Sequence, residues 1–321
     1  MNSYDVFNGD ADGICALLQL RLAQPKNSTL ITGVKRDIKL LNQVKAQAGD
    51  DVTVLDIALE KNLPALNNCL QAGANVHYYD HHNPGEIPSH PQLHCHINTD
   101  ANTCTSLIVN ESLQGRFVLW ALVGAFGDNM EKTALSIAAK QNLTANEIDL
   151  LQQLGTYINY NGYGSTLDSL FFHPAELFKQ LLPFANPLDF IRKNPSVYEK
   201  LEQSYHKDLE LASSVTAYRS LDNSAVFMLP NEEWAKRVGG VFGNKLANDT
   251  PDRAHAILSE LPNSNYLVSV RAPLTNKNGA DEICLQFETG GGRKGAAGIN
   301  QLPAAELNRF IETFENYYKK S

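Results

Sequence analysis

Residues 4–13 read YDVFNGDADG and combine a short strand pattern with a turn that is rich in glycine and aspartate. Aromatic and branched side chains make 4–7 typical of a buried β-strand, and apolar residues recur at helical spacing over 13–23. The pattern repeats, with further strands predicted at 29–34, 52–55 and 76–79 and further helices at 38–48 and 59–72. Because such crossovers pair strands in parallel, the sequence predicts an α/β fold with helices on both faces of a parallel sheet.

Acidic and imidazole side chains follow these strands where each one ends. Ligands of open parallel sheets bind beyond the carboxyl ends of the strands, so side chains there are candidates for chemistry. They are Asp10 and Asp12 after the first strand, Asp56 after the third, Asp80-His81-His82 after the fourth, and Asp128 after the apolar run 119–126, which we assign to the same sheet edge.

Each of these groups also has a structural explanation when it is taken alone. Asp10, Asp12 and Asp56 could cap the helices that follow them, and Asp128 could be a turn residue. Their recurrence at one edge instead favours a ligand set for hard divalent ions, Mn²⁺ or Mg²⁺. The sequence His94-Cys95-His96 has no second ligand pair nearby, and we expect it to be structural rather than a zinc site.

The composition indicates a globular protein of two domains. The chain has 321 residues, of which 43% are hydrophobic, and its net charge is −8. Proteins that coat long nucleic acids neutralise phosphates, so we expect no long duplex partner, although local Arg and Lys could hold a small phosphorylated ligand. No secretory signal or membrane-length apolar run is visible and the five cysteines are scattered, which predicts a reduced, cytoplasmic protein with no membrane partner.

The C-terminal half is predicted to form a smaller α/β domain with a mixed sheet. Strands are predicted at 225–229, 254–259, 266–271 and 282–287, and helices at 234–247 and 304–318. Three prolines at 183–195 indicate a boundary, and a helix over 196–211 leads into the second domain. The predicted division is an N-terminal domain at 1–190, a helical linker at 191–210 and a C-terminal domain at 211–321.

Four motifs resemble those of the DHH phosphoesterases in order and spacing. They are Asn8-Gly9-Asp10-Ala11-Asp12-Gly13, the lone Asp56 in 54–57, Asp80-His81-His82, and Gly127-Asp128. The run GGGRKGAAG at 290–298 resembles the glycine-rich signature of the DHH-associated domain. The resemblance spans nearly the whole chain, and it implies a DHH catalytic domain at 1–190 and a DHH-associated, substrate-binding domain at 211–321.

The resemblance implies a centre that binds two Mn²⁺ ions, with Mg²⁺ as the alternative metal. The implied ligands are Asp10 and Asp56 for one ion, and Asp12, Asp56, His81 and Asp128 for the other. Asp56 would bridge the two ions, while His82 would donate to a phosphate oxygen without binding metal. Asp56 and His82 are thus the expected catalytic residues.

The chain departs from the family pattern at two positions. Asn8 stands where the family usually has His, and because an amide oxygen is a weaker ligand for Mn²⁺ than imidazole, we expect Asn8 to bind the first ion loosely. Arg293 stands where the C-terminal signature usually has His. The resemblance implies that Arg271, Gly291, Gly292 and Arg293 contact the substrate.

The sequence therefore predicts a Mn²⁺-dependent phosphodiesterase that cleaves short oligonucleotides or linear dinucleotides such as pGpG into 5′-mononucleotides. The alternatives are a single-strand exonuclease, a cyclic-dinucleotide phosphodiesterase and a catalytically weak nucleotide-binding protein. A pyrophosphatase ranks lower, because the glycine-rich C-terminal signature is typical of nucleotide substrates. Base preference and the formation of a homodimer are left open.

Overall fold

Five strands form an all-parallel sheet in the N-terminal part of the chain, in the order β2-β1-β3-β4-β5. The computed structural model describes residues 1–319 and divides into two units, Met1–Gln203 and the residues from Ser204 onward. The strands are β1 Ser3–Phe7, β2 Thr29–Thr32, β3 Asp51–Leu55, β4 Asn75–Asp80 and β5 Leu93–Ile97. The predicted parallel sheet is therefore confirmed.

The strand order reverses its direction between β1 and β3. The chain moves from β1 to β2 on one side and then crosses back to β3 on the other side. The loops that leave β1 and β3 therefore diverge, and they open a crevice at the carboxyl edge of the sheet, where ligands of this topology bind. The motif at 8–13 follows β1 and Asp56 follows β3, so both lie at this reversal.

Helices cover both faces of this sheet, as predicted. They are α1 Ala11–Ala23, α2 Leu59–Gln71, α3 Thr105–Ser112, α4 Val118–Gly127, α5 Glu131–Ala138, α6 Ala145–Asn161, α7 Pro174–Leu181, α8 Pro187–Lys193 and α9 Pro195–Ser213. On one face, Leu66 and Leu70 of α2 pack in one core with Val54 and Val76. On the other face, Phe7 of β1 contacts Phe178 of α7.

The helix predicted at 38–48 is wrong. Only a short 3-10 turn forms, at Leu40–Gln43. The side chain of Asn62 in α2 accepts from the Leu41 amide at 3.3 Å and donates to the Ile38 carbonyl at 2.6 Å. Because this side chain satisfies backbone groups that a helix would pair internally, the segment stays irregular.

The apolar run 119–126 forms a helix, α4, rather than a sheet strand, which corrects the assignment of Asp128 to a strand end. Trp120, Leu122 and Val123 are all fully buried, and α4 packs against α1, α3 and α6. Periodicity cannot distinguish a helix buried on every side from a buried strand. A Cβ at Gly127 would lie 2.3 Å from the Cβ of Ala11, so this glycine lets α4 approach α1 closely and brings Asp128 to the sheet edge.

The C-terminal unit contains a six-stranded mixed sheet, in the order β10-β11-β9-β8-β7-β6. Only β7 and β8 pair in parallel. The elements are β6 Arg219–Ser220, β7 Ser224–Leu229, α10 Glu233–Asp249, β8 Ala254–Glu260, β9 Tyr266–Arg271, α11 Ala280–Cys284, β10 Gly290–Arg293, β11 Ala296–Leu302 and α12 Leu307–Lys319, with a 3-10 turn at Ala304–Glu306 before α12. The predicted mixed sheet is confirmed.

The strand predicted at 282–287 is wrong, because this segment contains the end of the short helix α11. Gly279 adopts a φ of 95° before the helix, and Asp281 and Glu282 lie in its first turn, where acidic side chains are favourable. Ile283 and Phe287 are buried one helical turn apart. Buried apolar residues four positions apart fit a helical turn, so the apolar character of the segment does not require a strand.

Two of the three prolines at 183–195 begin helices, and Pro183 lies in the turn that follows α7. Pro187 lies in the first turn of α8 and Pro195 begins α9, positions where proline's missing amide costs no helical hydrogen bond. The boundary between the two units falls between Gln203 and Ser204, inside α9. The predicted boundaries at 190 and 210 stay predictions, and the predicted terminus at residue 321 lies outside the described residues.

The sequence His94-Cys95-His96 lies on β5. His94 stacks on His77 and His96 stacks on Tyr79, with ring centroids 4.8 and 4.5 Å apart. All five cysteines are free. Within residues 1–319, no helix has both the length and the apolar character that crossing a bilayer requires.

A buried ion pair connects α1 to the sheet and gives a stability prediction. Arg21 donates from Nε to Asp5 at 2.7 Å and from its terminal nitrogen to Thr53 at 3.1 Å. Arg21→Ala leaves the fully buried Asp5 carboxylate without its cationic partner and, within residues 1–319, with only the Ser28 hydroxyl as a side-chain donor, so we expect the free energy of unfolding to fall by about 3–5 kcal/mol. The measurement is urea unfolding followed by Trp120 fluorescence in a Trp234→Phe background, since the chain has two tryptophans.

The matched control for Arg21→Ala is Lys26→Ala, which removes a half-exposed ion pair with Asp51. We expect this change to cost less than about 1 kcal/mol, because solvent screens the pair. Equal losses in the two variants would contradict a structural role for the buried pair.

Candidate metal centre

Asp10 and Asp12 begin α1 directly after β1. Asp10 is the N-cap of the helix, and its Oδ1 accepts from the Gly13 amide at 3.1 Å. Both carboxylates are almost completely buried. Capping therefore accounts for one oxygen of Asp10, and the other oxygen, Oδ2, accepts from the Lys35 ammonium inside the pocket.

The N-terminus of α3 holds the Asp12 carboxylate. The Thr105 amide donates to Oδ2 and the Ser106 amide to Oδ1, each at 2.7 Å, and the Ser106 hydroxyl also donates to Oδ1. These donors at the N-terminus of the helix fix the position and orientation of the Asp12 carboxylate. The sequence analysis missed Thr105 and Ser106, since no strand precedes them closely enough to indicate that they reach the site.

Asp56 turns the chain out of β3 in a left-handed conformation, with a φ of 60°. Its amide donates to the Tyr79 carbonyl at 3.0 Å and its Oδ1 accepts from the Thr105 hydroxyl at 3.1 Å. A non-glycine residue in this conformation is strained, and such strain concentrates at functional sites. The conformation separates Asp56 from the strand ladder and places it beside His81.

His81 joins carboxylates from three different segments. Its Nε2 lies 3.6 Å from Asp56 and 3.8 Å from Asp128. The ligand atoms of Asp12, His81 and Asp128 all lie within 4.8 Å of one another, as do those of Asp56, His81 and His82. Five of the predicted site residues therefore converge in groups with the dimensions of a metal site.

His82 lies next to His81 but has a different partner. Its Nδ1 is 2.7 Å from Oδ1 of the fully buried Asp80. This hydrogen bond raises the pKa of His82 above its ordinary value. Because Nδ1 is hydrogen-bonded to Asp80, Nε2 is the ring nitrogen that can contact a ligand.

Like charges dominate the electrostatics of the cluster. Burial, together with the charges of Asp10, Asp12 and Asp128, raises the pKa of Asp56 well above its ordinary value. Burial and the Asp12 carboxylate raise the pKa of Asp128 to about 6, although Lys35 opposes this rise. Carboxylates whose ionised forms are disfavoured by one another attract a divalent cation, which removes that repulsion.

Lys35 is a site residue that the sequence analysis missed. Its ammonium lies 2.5 Å from Asp10 Oδ2 and 3.7 Å from Asp128 Oδ1. Burial alone would raise the pKa of Asp10, but the charge and hydrogen bond of Lys35 outweigh burial and lower it. Lys35 follows β2, so the rule that singled out polar residues after the other strands would also have found it.

A pocket of about 230 Å³ opens over these residues. It is lined by Asn8, Asp10, Asp56, His81, His82 and Asp128, and by Lys35, Ile38, Ile57, Ala58 and Lys61. Asp12 is 1% exposed and lies beneath the other ligands. The pocket therefore combines a carboxylate and imidazole floor with two lysines.

The donor set fits a divalent cation. Carboxylate oxygens and one imidazole suit Mn²⁺, and Mg²⁺ accepts the same oxygens. The buried Oδ1 of Asn8 has no hydrogen-bond partner among the described residues, while the amide nitrogen of Asn8 donates to the Lys35 carbonyl. The Oδ1 atom is free to contact a ligand, and the role of Asn8 as a loose metal ligand stays a prediction.

The predicted substrate residues of the C-terminal unit form a cross-strand row. Arg293 on β10 pairs with Ala296 on β11, and Ala296 pairs with Arg271 on β9. The two arginines therefore lie on the same face of the sheet, with their backbones two strand spacings, or about 10 Å, apart. Arg271 donates to the Asn244 side chain at 2.6 Å and to the Gly240 carbonyl at 3.0 Å.

Gly291 and Gly292 lie on β10 between this row and the start of the strand. A side chain at Gly291 would meet nothing within 4 Å, so the backbone there is open to a ligand. Gly292 has a φ of 143°, and a Cβ there would lie 2.4 Å from the Cα of Ala297, so this position requires glycine.

No protein-family model and no curated protein sequence matches the chain. Solved structures do. A DHH-domain protein described as a member of a family of ribosomal proteins aligns over 98% of this chain and 86% of its own, with 14% identity and a TM-score of 0.66. The chain has the DHH fold. The resemblance found in the sequence is thus confirmed for the architecture.

Two further DHH structures extend the comparison. The exonuclease RecJ, solved with bound manganese, aligns over 100% of this chain and 90% of its own, with 15% identity and a TM-score of 0.61. A pGpG-specific phosphodiesterase, PggH from Vibrio cholerae, aligns over 99% of both chains, with 16% identity and a TM-score of 0.58. These identities establish a shared fold, so the residues of this pocket must carry any argument about chemistry.

Neutralising Asp56 tests whether the carboxylate cluster is built for a cation. Asp56→Asn keeps the oxygen that accepts from Thr105 and suits a positive φ, while it removes one of the like charges. We expect the metal-free variant to melt several degrees above the metal-free wild type. Saturating Mn²⁺ should raise the Tm of the wild type, as binding to the folded state requires, and should raise that of the variant much less.

The control for Asp56→Asn is Asp252→Asn, which changes an exposed aspartate outside the cluster. Its Tm should match that of the wild type with and without Mn²⁺ in thermal melts. A wild-type Tm that does not respond to Mn²⁺ would contradict the assignment of a metal centre.

Proposed function

We propose that this protein is a Mn²⁺-dependent phosphodiesterase that cleaves short oligonucleotides or linear dinucleotides, such as pGpG, into 5′-mononucleotides. The observation that carries the proposal is the convergence of Asp56, His81 and Asp128 in one pocket at the carboxyl edge of the sheet, with the buried Asp12 grouped beside His81 and Asp128. The DHH fold, which is shared with a manganese-bound exonuclease and a pGpG-specific phosphodiesterase, supports this reaction class.

The chain's own residues have distinct roles in this proposal. Asp12, Asp56, His81 and Asp128 hold the metal, which when bound supplies a Lewis acid for the phosphate and lowers the pKa of a water molecule. The α3 amides on Asp12 and the Thr105 hydroxyl on Asp56 fix the orientation of two of these ligands. Such supporting contacts raise metal affinity because the ligands need not reorganise on binding.

His82 is the proposed donor to the phosphate. Asp80 orients the ring and favours its protonated form, so Nε2 can donate to an oxygen on which negative charge develops. A positioned donor of this kind stabilises the transition state more than the ground state, and it therefore contributes to turnover.

The net charge of the protein and the size of the pocket both favour short substrates. The net charge of −8 disfavours a long polyanion, and the pocket of about 230 Å³ suits one phosphodiester group with its neighbouring sugar. Arg271 and Arg293, with the open backbone at Gly291 and the neighbouring Gly292, are the proposed contacts for the terminal phosphate or base.

Hydrolysis of a series of 5′-phosphorylated oligoribonucleotides tests the function. We expect turnover of pGpG with added Mn²⁺, no turnover in excess EDTA, and a steep fall in rate from the dinucleotide to the heptanucleotide. Removal of the 5′ phosphate should raise KM, because an anion contact to arginine is lost. Product analysis by ion-exchange chromatography should give 5′-mononucleotides.

The alternatives predict different results in the same assay. Equal rates on a long single strand and on the dinucleotide would indicate an exonuclease, and preferential opening of a cyclic dinucleotide would indicate a cyclic-dinucleotide phosphodiesterase. Tight binding of the dinucleotide without turnover would indicate a catalytically weak binding protein. Undiminished hydrolysis in EDTA would contradict the metal-dependent mechanism.

Replacement of His82 separates its proposed role from metal binding. We expect His82→Ala to lower kcat by about 10²–10³-fold, the range found for lost transition-state donors, with Mn²⁺ affinity unchanged by calorimetry. His94→Ala, which removes an exposed histidine on β5, is the control and should keep wild-type kcat. Loss of Mn²⁺ affinity in His82→Ala would instead make His82 a metal ligand.

A further inference from the structure

The Lys35 ammonium occupies a cage of oxygens inside the metal pocket. Asp10 Oδ2 lies at 2.5 Å, Asn159 Oδ1 at 3.0 Å and Asp128 Oδ1 at 3.7 Å from Nζ. Asn159 donates from its amide nitrogen to the Tyr163 hydroxyl at 2.9 Å, so its oxygen is the atom directed at Lys35. Two carboxylates and one amide oxygen around a cation form the kind of environment that a hard metal ion would also occupy.

The backbone of Lys35 is fixed on both sides. Its amide donates to the Gly162 carbonyl at 2.8 Å, and its carbonyl accepts from the Asn8 side chain at 3.2 Å. The preceding Val34 amide donates to the Asp37 carboxylate at 3.2 Å. These contacts direct the side chain into the pocket, where it is only 30% exposed, and they distinguish Lys35 from a lysine that moves freely on the surface.

Asp10 differs from the other carboxylates of the pocket in its close hydrogen bond to Lys35. Both of its oxygens are engaged, Oδ1 by the Gly13 amide and Oδ2 by Lys35. Within residues 1–319, the two groups of side chains with metal-site dimensions contain Asp12, Asp56, His81, His82 and Asp128, but not Asp10. The geometry therefore provides one cluster for a metal ion and, beside it, one carboxylate paired with an ammonium.

We propose that the Lys35 ammonium takes the place of a second divalent ion at Asp10, so that the pocket binds one divalent ion per chain. This inference rests on the proposed function in one respect, namely that the pocket binds a divalent ion at Asp12, Asp56, His81 and Asp128. It replaces the two-ion centre that the family resemblance implies. Asn8 fits the same scheme, because at this subsite it stabilises the Lys35 backbone.

A fixed ammonium differs from a metal ion in what it contributes to the reaction. It carries one charge and up to three hydrogen-bond donors, which can contact phosphate oxygens in addition to Asp10. It has no open coordination position, so it cannot activate water. Lys35 thus contributes charge stabilisation at Asp10, and any activation of water stays with the ion held by the neighbouring cluster.

Metal stoichiometry measured without substrate tests the proposal. Full-length protein stripped with a chelator is titrated with MnCl₂ by isothermal titration calorimetry, and spin coupling between bound ions is read by electron paramagnetic resonance. We expect the wild type to bind one Mn²⁺ with the spectrum of an isolated ion. Lys35→Met keeps the length of the side chain without its charge, so it should bind two ions with a spin-coupled spectrum.

Two control variants isolate the charge of Lys35. Lys35→Arg keeps a positive charge at Asp10 and should still bind one ion. Lys61→Met removes the other lysine that lines the pocket, a half-exposed side chain beside Glu60, and should also bind one ion. Two ions in Lys61→Met would mean that general pocket charge sets the stoichiometry, and this result would overturn the role of Lys35.

Asp10→Asn provides a test that does not depend on the folding of Lys35→Met. If Lys35 occupies the subsite, the loss of Asp10 leaves the stoichiometry at one ion, whereas a two-ion centre would fall from two ions to one. Two ions in the wild type, or one in a folded Lys35→Met, would overturn the inference and leave metal-dependent hydrolysis intact. No bound ion and no hydrolysis in the wild type would overturn both.

Discussion

The repulsion among carboxylates crowded at one edge of the parallel sheet is the constraint on which the rest of the site depends. Asp10, Asp12, Asp56 and Asp128 come from three separate segments; the first three are buried and Asp128 is only 19% exposed. A buried charge is stable only when it is paired or fully hydrogen-bonded. Each carboxylate therefore needs a partner from elsewhere in the fold: Asp10, Asp12 and Asp56 accept hydrogen bonds, whereas Asp128, among the described residues, has only Lys35 and His81 nearby, at 3.7 and 3.8 Å.

The four carboxylates differ in how fully neighbouring donors and charges balance their negative charge. Asp10 and Asp12 are well paired, whereas Asp56 and Asp128 are not. Asp12 accepts from the N-terminus of α3, and Asp10 accepts from Lys35, which holds the pKa of Asp10 below its ordinary value. Asp56 and Asp128 are less completely compensated, and their pKa values are raised. The remaining negative charge is concentrated beside His81, where a bound cation would reduce the repulsion between the carboxylates.

The packing of the sheet holds these charged groups at their positions. The Tyr78 hydroxyl donates to the Ile57 carbonyl at 2.7 Å, which fixes the chain directly after Asp56 in its left-handed turn. Gly127 lets α4 approach α1, so Asp128 reaches the sheet edge from a helix and not from a strand. The same architecture occurs in an exonuclease and in a pGpG-specific phosphodiesterase, so the fold alone does not determine the substrate.

The sequence by itself determined the parallel sheet, the mixed C-terminal sheet and the convergence of the Asp and His motifs, because strand periodicity and strand ends are local properties of the chain. It did not determine that 119–126 is a helix, since a helix buried on all sides has no polar face to mark its period. It also did not determine that 38–48 remains irregular, because Asn62, from a different helix, satisfies that backbone. The strand-end rule could have found Lys35, which follows β2, but only the tertiary structure showed that it pairs with Asp10. Thr105 and Ser106 reach Asp12, and Thr105 reaches Asp56, across large separations along the chain. Contacts of this kind leave no periodic signal in a single sequence.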